Sequence, residues 1–143
     1  MKRLSKRDFM EFAVSLPEDG DVDGMQQMLD DNPEHKDELL FGERDGVSDG
    51  NYSAWSYSTW LCHFEKYREN ARRVVKWLIK KGRRRDLWSA IALEEKARLK
   101  KILEENSKLS RAEHPLFGDT ALELALPKLR PLLLEHGADD GCL

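Results

Sequence analysis

The stretch Gly118–Asp139, GDTALELALPKLRPLLLEHGAD, decides how this chain is read. Leu122, Ala125 and Leu126 fall on one helical face, and Leu129, Leu132 and Leu133 fall on another a few residues later. Leu126-Pro127 turns the chain between them. Gly137 then stands just past the second apolar run, where a helix is closed by a residue in left-handed conformation. The stretch therefore spells a helix, a tight turn, a second helix and a stop.

Upstream, the same close recurs. Two large apolar residues, two polar ones and then Gly or Asn appear as Met28 to Asn32, Leu78 to Gly82, Ile102 to Asn106 and Leu133 to Gly137. A second helical stripe precedes each close. Phe9, Phe12, Ala13 and Leu16 share a face in the first unit, and PEDGD turns the chain into the next helix. Tyr57, Trp60, Leu61 and Phe64 share one in the second, where Val74, Val75, Leu78 and Ile79 form the partner stripe. In the third, Leu87, Ala90 and Ile91 precede Leu99, Ile102 and Leu103. Short helix pairs cannot bury their apolar faces alone and must stack on neighbours. The expected fold is all-α, a solenoid of about four stacked antiparallel helix pairs forming a single domain over 1–143. Its units span about 5–34, 52–82, 86–108 and 118–139, with a long loop over 35–51. Leu78, Leu103 and Leu133 should be buried.

These stretches resemble the ankyrin repeats. GDVDGMQQMLDDNPE (Gly20–Glu34), ARRVVKWLIKKG (Ala71–Gly82), DLWSAIALEEKARLKKILEEN (Asp86–Asn106) and Gly118–Asp139 carry the likeness. In the last, Thr120-Ala121-Leu122 sits where the family opens its first helix, and Gly137-Ala138-Asp139 matches its close. The spacing departs from the family's repeat of about 33 residues, because successive closes lie 50, 24 and 31 residues apart. The resemblance thus implies a short, irregular array with degenerate or missing hairpins. Family members mostly bind other proteins through loop tips and the concave face.

The chain has 143 residues, of which 36% are charged, and no apolar run reaches membrane-spanning length, so a soluble protein is expected. Asp8 and Glu11 interrupt the apolar part of the N-terminal segment, which reads as an amphipathic helix rather than a signal peptide. Cys62 and Cys142 show no disulfide framework, which fits a reduced, cytoplasmic setting. The net charge of −3 hides a strong asymmetry. Glu18–Asp49 holds twelve acids against Lys36 and Arg44, a net of −10, whereas 66–85 holds ten bases against Glu69, a net of +9.

Catalytic signals are missing from the sequence. The four histidines lie in different units or loops, and the adjacent Cys62 and His63 point about 100° apart on a helix, a poor chelate. Neither a nucleophile elbow nor a phosphate loop occurs. No enzyme activity, cofactor or metal is expected. On the resemblance to the ankyrin repeats, which bind through loop tips, the implied partner-binding residues are Asp45, Asp49, Asn51, Tyr52 and Trp55 in and beside the long loop, Arg83, Arg84 and Arg85 at the second turn, and Phe117 and Asp119 at the last. Tyr57 and Trp60 read as core. Tyr52 and Trp55 lie off that stripe, and either pack locally or anchor an interface. The three arginines either complement a helix end or meet an anion.

The expected function is a non-catalytic protein-protein interaction module. The alternative is a dedicated inhibitor, of the immunity-protein or antitoxin kind, whose acidic N-terminal third masks a basic active site. A weaker alternative is anion or nucleic-acid contact through 66–85, which the acidic third opposes. A protein partner is expected, with no membrane contact. The aliphatic C-terminal flank at Leu132 and Leu134 is expected to be covered by Leu143 folding back, by a second copy in a homo-oligomer, or by the partner.

Overall fold

The computed structural model describes residues 4–41, 54–114 and 117–138. Among them the regular structure is helical, and pairing between extended segments is confined to a single bridge between Glu113 and Thr120. No described helix is long and apolar enough to cross a membrane. The contacts divide the chain between Arg84 and Arg85 into two compact units, where the sequence reads as one array.

The described residues of the first unit form α1 (Lys6–Asp19), α2 (Val22–Asp31), α3 (Lys36–Phe41), α4 (Ala54–Leu61) and α5 (Arg68–Lys81). Ser5 caps α1 by accepting from the Asp8 N–H at 3.2 Å. The helix runs through Pro17 to Asp19, so the chain turns at Gly20 and not at the proline. Phe9, Ala13 and Leu16 face inward as expected, but Phe12 is 38% exposed. Asp21 caps α2, which buries Met25 and Leu29. A short 3-10 turn, Pro33–His35, then leads into α3. That helix lies inside the span expected to be a long loop, and the buried Leu39 and Leu40 give it a reason to fold. In the core α1 packs on both α4 and α5, which pack on each other. Helix α2 touches α1 and α5, while α3 touches α1 and α4.

The second unit contains α6 (Leu87–Ala92), α7 (Lys96–Glu105), a 3-10 turn at Ser107–Arg111, α8 (Ala121–Leu124) and α9 (Arg130–Glu135). Asp86 and Ser89 exchange side-chain-to-backbone bonds in a capping box that starts α6, and Thr120 and Glu123 do the same for α8. Helix α6 packs on α7 and α8, and α8 on α9. Leu87, Ala90, Ile91, Leu99, Leu103, Leu122, Leu129 and Leu133 form the core.

The four expected closes each end a helix: α2 at Asp31, α5 at Lys81, α7 at Glu105 and α9 at Glu135. Their chemistry divides by residue. Gly82 and Gly137 take positive φ, 127° and 108°, and the residue after each donates back to Leu78 and Leu133. Asn32 and Asn106 remain at negative φ, which departs from the left-handed cap expected of them. The Asn32 side chain acts on the end of α2, whereas that of Asn106 caps the 3-10 turn that follows α7. Asn32 Nδ2 donates to the Met28 carbonyl at 2.9 Å, its Oδ1 accepts from the Leu4 N–H at 2.8 Å, and Asn106 Oδ1 accepts from the Lys108 N–H at 3.2 Å.

Candidate interaction surfaces

Helix α4 reverses its expected sides. Its inward face carries Ala54, Trp55, Ser58, Leu61 and the following Cys62, and Trp55 is only 3% exposed. The buried hydroxyls are satisfied within the helix, since Ser58 Oγ and Thr59 Oγ1 donate to the Trp55 carbonyl at 3.1 and 2.9 Å. Tyr57 and Trp60, expected in the core, lie half-buried on the other side, and Phe64 beyond them is 39% exposed. The three rings form a stripe, with centroids 6.1 Å apart for Tyr57–Trp60 and 4.7 Å for Trp60–Phe64. Tyr57 donates its phenolic proton to Glu18 Oε1 at 2.6 Å, which ties the stripe to the end of α1.

Trp55, expected as a loop anchor, is therefore a core ring of the first unit. Arg83 lies against it, with the guanidinium 4.7 Å from the ring centroid. The same guanidinium donates through Nη1 to the Leu40 carbonyl at 2.9 Å, and so satisfies a carbonyl at the end of α3. Of the candidate arginines, Arg83 is thus a structural clamp between α3, α4 and the end of α5. Arg85 pairs with Glu95 at 3.0 Å, while Arg84 is exposed. Asp45, Asp49, Asn51 and Tyr52 lie outside the described residues. Among the candidates it describes, the structure brings Trp55 and Arg83 together. A sequence signal for this arrangement existed: Ala54, Ser58 and Cys62 recur at every fourth position, a small-residue line that shares a helix side with Leu61.

Phe117 behaves as expected of a tip residue, being 60% exposed. Hydrogen bonds join the described residues on either side of it. His114 N–H donates to the Asp119 carbonyl at 2.6 Å, Gly118 N–H donates to the His114 carbonyl at 2.9 Å, and the Thr120–Glu123 capping box follows at once. Two hydrogen bonds from Thr120 hold the Glu123 carboxyl below its ordinary pKa. Asp119 is half-buried and contributes its backbone to this lock. Nearer the C-terminus, Leu129, Leu132 and Leu133 are buried and Leu134 is 42% exposed. Leu143 lies outside the described residues.

His114 anchors the turn from inside. Its ring is 1% exposed and meets Trp88 edge-on at 4.9 Å. Burial pushes the imidazole down to about 4, against the opposing pull of Asp119. An unfolded histidine titrates near about 6.5. Between those pH values the unfolded chain binds more protons, so this contribution is complete above about 6.5 and is lost as pH falls toward 4. The loss should approach roughly 3 kcal/mol at the acid limit. NMR titration should show the His114 ring neutral down to about pH 5. A midpoint near that of a free histidine would show that the ring is solvated.

Among the described residues no three His, Cys, Asp or Glu side chains gather as a metal site. Burial pushes the Cys62 thiol up to about 12, against the weaker pull of Arg72 and Arg68, so at neutral pH it stays protonated. The acids Glu18, Asp19, Asp21, Asp23 and Asp30 are exposed on the first unit. Comparison with protein families, curated proteins and solved structures finds no match for the chain.

Proposed function

We propose that this chain is a short, irregular ankyrin-like array acting as a non-catalytic protein-interaction module, with Phe117 as one of its anchors. The observation that carries this reading is a large aromatic ring, 60% exposed, on a turn fixed by two backbone hydrogen bonds and a capping box. An exposed ring on a rigid support loses little freedom when it enters a partner's pocket, and aromatic residues dominate interface energetics. Successive contacts of α1 with α2, α4 with α5, α6 with α7 and α8 with α9 support the repeat reading, as does the helix opening at Thr120.

Phe117→Ala is expected to shift the melting temperature by no more than a few degrees, because surface substitutions rarely exceed about 0.5 kcal/mol. It should weaken partner binding by about 2 kcal/mol or more. Affinity capture with the original and substituted chains, followed by mass spectrometry and titration of the recovered protein, checks this. Equal capture and equal affinity would remove Phe117 from the interface.

A further inference from the structure

Helix α5 carries a second surface that the Phe117 reading does not use. Ala71, Val74, Val75 and Leu78 point into the first unit. At 100° per residue, Glu69, Arg72, Arg73, Lys76 and Lys80 fall on the opposite side. Glu65, Arg68, Glu69, Arg72, Arg73 and Lys76 line a shallow depression of about 560 Å³ on that side. Arg68 is already engaged, donating to the Cys62 and His63 carbonyls at 2.9 and 3.0 Å. Arg73, Lys76 and Lys80 are exposed, and among the described residues none of them meets a carboxylate. Glu69 lies four residues before Arg73, yet no ion pair joins them. The result is a ridge of cations one helical turn apart, about 6 Å per step, beside a hollow.

We propose that this ridge docks an acidic helical segment of a partner protein. Carboxylates at every fourth position of a helix repeat at the same interval of about 6 Å, and the exposed Arg73 offers the planar fork that a carboxylate fits. Nucleic acid would also answer the positive charge, but the hollow does not have one sign throughout. Glu65 and Glu69 occupy its N-terminal end. A phosphate strand keeps its charge along its whole length and must cross those two acids. A protein segment can present acids beside Arg73, Lys76 and Lys80 and a neutral or basic residue beside Glu65 and Glu69. No aromatic ring lines the hollow among the described residues to stack on a base.

The inference shares with the Phe117 reading only the premise of a binding protein, and it can fail separately. The probe is a labelled helical peptide with glutamate at every fourth position and lysine beyond the last of them, titrated by fluorescence anisotropy against the full chain. Saturable binding is expected at about 0.05 M salt, weakening as salt rises to about 0.3 M. The same peptide with glutamine for glutamate should bind at least about tenfold more weakly, as should the original peptide to R73E/K76E/K80E. R73Q/K76Q/K80Q provides the milder variant should charge reversal disturb folding, with circular dichroism as the control. Phe117→Ala, in the other unit, should leave the peptide affinity unchanged. Four results would overturn the proposal: no saturation by the acidic peptide, equal affinity of both ridge variants, tighter binding of a single-stranded DNA oligonucleotide, or a salt-sensitive dimer in light scattering that the ridge variants abolish. The third would assign the ridge to nucleic acid and the last to a second copy of this chain.

Discussion

Replacing Trp55 with Ala should lower the stability of the first unit by about 3–5 kcal/mol, the usual cost of deleting a buried large aromatic side chain. The ring is 3% exposed among α1, α4 and α5, and its loss leaves a cavity that three packed helices cannot close. A second cost falls on Arg83. Its guanidinium loses the ring face 4.7 Å away, a contact worth roughly 0.5–2 kcal/mol. Arg83 also holds the Leu40 carbonyl, so α3 should fray with it. Urea denaturation followed by circular dichroism checks the loss. Trp55→Phe should recover much of the stability because it refills most of the volume. If Trp55→Ala melts with the original chain but loses its partner, the ring is an interface anchor and its place in the core is wrong.

Leu103→Ala should cost the second unit about 2–5 kcal/mol. Leu103 is fully buried on α7, one turn from the equally buried Leu99, and α7 packs on α6 and on the 3-10 turn that follows it. The second unit is built from helices of 4 to 10 residues. Such helices are marginal alone and depend on tertiary packing. One lost side chain is therefore felt throughout the unit. Trp88, on α6, reports the transition by fluorescence. Leu103→Asp should go further and unfold the unit, because an unpaired carboxylate cannot remain charged there without a large penalty. A freely tolerated Leu103→Asp would show that α7 faces water.

The helical stripes were legible wherever large aliphatic residues set them. Leu78, Leu103 and Leu133 were marked by their spacing and are fully buried. The helix ends at Gly82 and Gly137 were legible too, because a positive φ is cheap for glycine alone. At Asn32 and Asn106 the end was visible but the manner was not. The Asn32 amide donates back to α2, whereas the Asn106 side chain starts the 3-10 turn that follows α7. Helix α3 was missed because six residues with one Leu-Leu pair make no period. Of the candidate site, Phe117 was legible as a tip residue, whereas the roles of Trp55 and Arg83 were not.

By itself the sequence determined the helical class, the helix ends at Gly82 and Gly137 and the two charged stretches, since each rests on local spacing or composition. Only the tertiary structure decided which side of α4 faces inward. A serine or threonine that bonds to its own helix costs little to bury, so Ser58 and Thr59 lie inside with Trp55, while Tyr57, Trp60 and Phe64 stack on one another on the other side. Apolar and polar residues on an eight-residue helix therefore do not name the buried face. The neighbours do, through the space they leave.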